Sequence, residues 1–189
     1  MIVARILSPV FSLGPGKRIC IWTQGCKKRC KRCISPELQP FSGTEIDEEL
    51  LSNIIIKIAE NNDCKGITIS GGEPFEQSKA LLKLLKKLRN KFEDILVYTG
   101  LKFNNIQNNL YGGNAKMCLS YIDVLIDGEY IDELNSKDCV LRGSSNQEIH
   151  FLNKKIYPLY EEYMRKGRVL QSFVHGKDTI VTGIKNKGD

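Results

Sequence analysis

Histidine is almost missing from this chain. His150 and His175 are the only two among 189 residues, and neither has a second imidazole or a thiol pair beside it. A histidine-built metal site has no material here, and chemistry that depends on a histidine acid or base has little. Long apolar runs are missing too. The richest stretch, 54-IIIKIA-59, is broken by Lys57 and falls far short of the roughly 20 residues that cross a bilayer. The opening MIVARILSPVF has no apolar segment followed by a small-residue cleavage site. No secretory signal is therefore expected, and the expected compartment is the cytoplasm, where thiols stay reduced. Excess charge is mild, at +6 with a pI near 8.9. A broad basic face with base-reading motifs is lacking, so neither nucleic acid nor a membrane is an expected partner.

What is present is ordinary in bulk and unusual in one place. A hydrophobic share of 41% and a charged share of 26% suit a globular protein with one real core. Five Lys and Arg, however, sit in one short stretch, 25-GCKKRCKRC-33, around three cysteines. The other four cysteines, Cys20, Cys64, Cys118 and Cys139, are scattered singly and read as core packing.

Along the chain, residues 2–7 and 17–24 read as strands separated by the turn-rich 12-SLGPG-16. The cysteine stretch follows the second strand directly. The pattern 42-SGTE-45 suggests a capping box ahead of a helix whose apolar face carries Ile46, Leu50, Leu51, Ile54, Ile55 and Ile58. A buried strand is expected over 66–70, a helix from Glu76 to Asn90, and a strand over 95–100. A weak helix and loop over 102–117, a strand over 122–128 and a further strand over 148–152 follow. A helix over 153–166 must hold Pro158 in its first turn or kink there. The tail, 168–174 and 178–184 around His175-Gly176-Lys177, reads as a β-hairpin.

This rhythm predicts an α/β fold with a mostly parallel, curved sheet and outer helices, having too few units for a closed eight-fold barrel. Three expected strands end in polar or glycine-bearing tags: Gly71-Gly72-Glu73-Pro74, Tyr98-Thr99-Gly100 and Asp127-Gly128. In parallel α/β folds, ligand chemistry gathers at the carboxyl ends of the strands. If the strands are neighbours, these tags and the cysteine stretch share one rim.

The cysteine spacing narrows the possible occupants. A disulfide is disfavoured in a reducing compartment, and three clustered thiols leave one over. Structural zinc lacks a second ligand pair. Three thiolates from one loop suit a [4Fe–4S] cluster with one iron left open. The Lys and Arg filling is expected to lower thiol pKa and to guide an acidic electron donor such as a flavodoxin or ferredoxin.

CxxxCxxC at Cys26, Cys30 and Cys33, followed after the next strand by GGEP, resembles the radical S-adenosylmethionine superfamily. With GPGKR, QGC, DVLIDGEYI and 142-RGSSNQ-147, residues 1–150 look like the activating proteins of anaerobic ribonucleoside-triphosphate reductases. The resemblance implies a partial (β/α) barrel of the radical S-adenosylmethionine type. Residues 151–189 would extend the same domain with a helix and the hairpin. It further implies ligation of the cluster by Cys26, Cys30 and Cys33, with S-adenosylmethionine as cofactor. Gly71, Gly72 and Glu73 would line the methionine amino group, and Thr99 and Asp127 would meet its ribose or carboxylate. Arg142, Ser144, Asn146 and Gln147 would lie near the nucleoside and the partner, a glycyl-radical enzyme such as anaerobic ribonucleotide reductase. The chain contains no RVxGY-like glycyl-radical segment, so the target would be another polypeptide.

The activating proteins commonly follow the last cysteine with His-Asn-Pro, where this chain has Ile34-Ser35-Pro36, and Arg32 stands where an apolar or aromatic residue is common. Two further readings stay open at this stage. One is a radical enzyme that modifies a peptide or small molecule; the other is a cluster-binding protein without turnover.

Overall fold

The computed structural model describes residues 1–176 and 178–186. Lys177, in the expected hairpin turn, and residues 187–189, at the end of the expected extension, lie outside the described residues. Six strands form one sheet in chain order: β1 Val3–Val10, β2 Arg18–Thr23, β3 Gly66–Gly71, β4 Asp94–Tyr98, β5 Val124–Asp127 and β6 Glu148–Phe151. The four middle strands run parallel, and β1 and β6 flank them antiparallel. The α/β class with a mostly parallel sheet is therefore observed. The tail forms a separate two-stranded antiparallel hairpin, β7 Leu170–His175 and β8 Asp178–Gly183.

Helices cover both faces, which is why β2 to β5 read as apolar runs rather than as alternating patterns. On the first face, Ile19, Ile21, Ile67, Ile69, Ile95, Val97 and Leu125 pack against α1 (Glu48–Asn61), α2 (Ser78–Leu88) and α4 (Gly113–Cys118). A short α3 (Phe103–Gln107) precedes α4. The second face, with Leu96, Val124 and Ile126, meets α5 (Tyr157–Arg165) through Tyr160 and Tyr163. Pro158 sits in the first turn of α5, where its missing N–H has no helical partner to lose.

The first helix starts later than the sequence suggests. Its cap is Asp47, whose carboxylate accepts from the backbone N–H of Glu49 (2.8 Å) and Leu50 (3.2 Å), not Ser42. Ile46 lies outside the helix and donates to the carbonyl of Met1. Leu51, Ile55 and Ala59 then face the core, while Leu50 and Ile54 are exposed. The helical stripe is thus narrower than a count of apolar residues implies.

At the amino ends of the parallel strands, Arg18 is fully buried. Its Nε donates to Thr68 Oγ1 (2.7 Å), its Nη2 to the carbonyl of Ile67 (2.7 Å), and its Nη1 to the carbonyl of Pro15 (3.1 Å) and to Asp94. Tyr160 Oη of α5 donates to the same Asp94 carboxylate at 2.9 and 3.0 Å. The hairpin docks beside it: Gln171 bridges the N–H of Phe11 and the carbonyl of Pro9, and Thr182 Oγ1 lies 2.8 Å from Ser12 Oγ. Among the described residues, no helix is long and apolar enough to cross a membrane.

Candidate cluster and cofactor site

The site is built where β2 ends. Gln24 Nε2 donates to the carbonyls of Glu37 (3.1 Å) and Pro40 (2.8 Å), and the N–H groups of Gly25 and Cys26 donate to Leu38 and Gln39. The returning segment 36–40 thus pairs with the outgoing one and closes the neck of a loop that carries Cys26, Cys30 and Cys33. All three thiols are free and partly buried, whereas Cys20, Cys64, Cys118 and Cys139 are free and buried in packing.

The end of β3 docks on that neck. Gly72 N–H donates to the carbonyl of Thr23 (2.8 Å), and Glu73 N–H to that of Gly25 (2.9 Å). The contact leaves no room for side chains. A Cβ on Gly71, at φ +116°, would stand 2.2 Å from Thr23 N, and one on Gly72 would stand 2.3 Å from the carbonyl oxygen of Gly25. The paired glycines are what allow the cysteine loop and the third strand end to share one rim.

Glu73 follows, buried, with its carboxylate held by Thr99 Oγ1 (2.7 Å), Gly100 N–H (2.7 Å) and Phe75 N–H (3.1 Å). Burial raises its pKa above the ordinary carboxylate value, and the hydrogen bonds and the charge of Lys28 oppose that rise. Two carboxylate oxygens offer about four acceptor positions, so these three donors leave about one free. Beside it the stem of Lys28 lies over Gly100, within 2.6 Å of where a Cβ would be. Gly71, Gly72, Glu73 and Thr99 are thus brought together with the cysteine loop.

The other expected residues lie on the β5 side of the rim with their polar groups largely engaged. Asp127 is buried; its carboxylate accepts from Phe103 N–H (2.6 Å) and Glu148 N–H (3.3 Å), with Lys102 Nζ at 3.7 Å. Ser144 Oγ accepts from Ile131 N–H (3.1 Å). Gln147 Oε1 accepts from the N–H groups of Gly143 and Ser144, and its Nε2 donates to Gly128 (2.7 Å). Arg142 Nη1 donates to the carbonyl of Gln147 (3.0 Å), while its buried Nε has no partner. Asn146 Nδ2 donates to the carbonyl of Glu129 (2.8 Å), and its buried Oδ1 is also unpartnered. The segment 142–147 is a self-capped turn packed on 128–131.

Sequence reasoning missed what holds the cysteine loop in place. Its basic residues meet the chain's own acids: Lys27 with Glu76 (2.7 Å), Lys28 with Glu129 (3.5 Å), Lys31 with Glu133 (3.3 Å) and Arg32 with Asp132 (3.0 Å). Arg29 donates to the carbonyl of Cys26. The expected lowering of thiol pKa does not follow. Burial, then the nearby charge of Glu129, pushes Cys30 up to about 11, and burial raises Cys26 as well. The signal was available in 129-EYIDEL-134, an acidic run to match the basic one.

Among the described residues no three His, Cys, Asp or Glu side chains are arranged around one ion. The donor set is three soft thiols on one loop, with every other thiol buried elsewhere, which fits a cluster that keeps one iron free of protein. Residues 12–150 match the model of the family described as 4Fe-4S single cluster domain, which makes this chain a single-cluster iron–sulfur protein. The anaerobic ribonucleoside-triphosphate reductase-activating protein of Haemophilus influenzae is 32% identical over 143 residues, covering 72% of this chain and 89% of that protein. Its namesake from Salmonella typhimurium is 30% identical over 148 residues (74% and 91%), and that of Enterobacteria phage T4 is 30% identical over 155 residues (77% and 90%). The chain belongs to the family of these activating proteins.

Proposed function

We propose that this chain is a radical S-adenosylmethionine enzyme that generates a glycyl radical on an anaerobic ribonucleotide reductase. The single observation that carries the reading is the docking of the cysteine-loop neck on Gly71-Gly72-Glu73. It sets three free thiols beside a buried carboxylate with one acceptor position to spare. Cys26, Cys30 and Cys33 would hold the cluster, and Glu73 would accept from the cofactor's ammonium. Thr99 and Gly100 fix the Glu73 carboxylate, and so act as positioning groups. Asp127 and the 142–147 turn would meet the cofactor from the β5 side of the rim, and Arg142 Nε and Asn146 Oδ1 have hydrogen-bonding capacity left for it.

When bound, the cluster and S-adenosylmethionine supply one-electron cleavage of a sulfonium and abstraction of a hydrogen atom. The chain's own part is to bind, orient and exclude water. No proton need move, which agrees with the scarcity of histidine. We read the sheet as a partial (β/α) barrel of the radical S-adenosylmethionine type over residues 1–150, with 151–189 as an extension of the same domain. A flavodoxin or ferredoxin would be the reductant, in the cytoplasm.

The test is anaerobic reconstitution followed by iron and sulfide analysis. Dithionite-driven release of 5′-deoxyadenosine should follow, and then a glycyl radical doublet in the spin-resonance spectrum of the same organism's reductase. A chain that loads its cluster but releases no 5′-deoxyadenosine would be a binding protein only.

A further inference from the structure

The mouth of the site presents little unpaired charge. Four of the five basic residues, Lys27, Lys28, Lys31 and Arg32, face carboxylates of this chain, and the fifth, Arg29, turns back onto the carbonyls of Cys26 and Lys28. Exposed ion pairs of this kind stabilise little, but three of them, Lys28–Glu129, Lys31–Glu133 and Arg32–Asp132, set segment 26–34 beside segment 129–134. The same two segments carry side chains of a different sort: Ile34 is 64% exposed, Leu134 41% and Ile131 39%. Exposed apolar residues scattered singly are ordinary. These three stand on two strapped segments that flank one site, and two of them directly bracket Asp132 and Glu133.

Resting on the activase reading above, we propose that Ile34, Ile131 and Leu134 form an apolar ledge on which the glycine-bearing segment of the reductase docks. Recognition at this mouth would then depend on apolar burial rather than on opposite charge. The occupant follows from continuity with the site. The acceptor glycine belongs to another polypeptide, because this chain has no such segment. It must reach the rim between the cysteine loop and Glu73, beside which segments 26–34 and 129–134 lie paired. Interface cores are depleted in charged residues, and here four of the five basic charges are neutralised in pairs before any partner arrives.

The test compares the wild-type chain with the double variant Ile34→Ser and Leu134→Ser, both positions being exposed and outside the core. With the cluster-loaded protein and the same organism's reductase, the double variant should weaken binding about tenfold, or about 1.4 kcal/mol. Its iron content and its reductase-free release of 5′-deoxyadenosine should match the wild type. Val174→Ser, at a 77% exposed position on the hairpin, should leave binding unchanged. Wild-type affinity should hold between about 0.05 and 0.3 M salt, a range over which charge-driven contacts are screened. Equal affinity in the double variant, or a steep loss of wild-type affinity with salt, overturns the ledge. If the wild type cleaves S-adenosylmethionine yet leaves no glycyl radical on the reductase, the activase reading itself fails and takes the ledge with it. A radical formed equally well by wild type and double variant, at equal affinity, removes the ledge alone.

Discussion

Single side chains separate the seven thiols into two groups by burial. Cys20 and Cys118 are enclosed in packing, and burial pushes each up to about 12; Cys64 and Cys139 are buried as well. Cys26, Cys30 and Cys33 keep access to solvent. A thiol reacts as its thiolate and only where a reagent can reach it. Anaerobic treatment of the folded, metal-free chain with iodoacetamide should therefore add three labels, on Cys26, Cys30 and Cys33, with Cys30 the slowest of the three, by peptide mass analysis. Loading iron and sulfide first should protect those three, and denaturant should expose all seven. Labelling of Cys20 or Cys118 in the folded chain would contradict the packing described above. The same division was legible in the sequence, because scattered cysteines behave as small hydrophobes while clustered ones need a shared purpose.

Elements carry the next level, and the most constrained junction is that of β3 with the neck of the cysteine loop. Gly72→Ala forces a methyl group to within 2.3 Å of a backbone carbonyl on the cysteine loop. Backbone cannot swing aside as a side chain can, so the loop itself must shift. Iron retained after reconstitution should fall by at least half, while α-helical circular dichroism stays close to wild type; full iron loading would show that the contact is not essential. The GGEP tag was readable as a rim signal, and its placement beside the cysteines followed once four consecutive strands were parallel neighbours. The engagement of Thr99 by Glu73, and the closing of 142–147 on itself, were not readable. They depend on which of several possible partners lies nearest after packing, and no spacing rule encodes that. The first helix shows the same limit: a plausible capping pattern at 42–45 lost to Asp47, whose carboxylate meets two backbone donors at once.

The whole molecule depends on its second face being covered. Arg18 and Asp94 lie at the foot of the sheet, and Tyr160 reaches them from α5, so the core and the carboxy-terminal segment share one buried polar network. A buried charge that loses its partner is costly. Asp94→Ala should destabilise the chain by on the order of 3–5 kcal/mol in urea unfolding. Tyr160→Phe should cost about 1.5–3 kcal/mol, the expected loss for a hydrogen bond to a charged group. If both variants unfold at wild-type urea concentrations, the network is ornamental. Nothing in the sequence pattern announced this network, since Lys17 and Arg18 open the strand expected over 17–24 and no spacing marks the second of them for burial.

The charged clasp between the cysteine loop and segment 129–133 has a bearing on damage by air. A metal centre of this kind is oxygen-labile, and a loop shaped only by its metal would lose its form when the metal is lost. Here the neck is fastened by main-chain bonds and the tip lies against pairs of opposite ions, none of which needs iron. A stripped molecule thus keeps the neck of its cysteine loop closed by main-chain bonds, ready for refilling without passing through the unfolded chain.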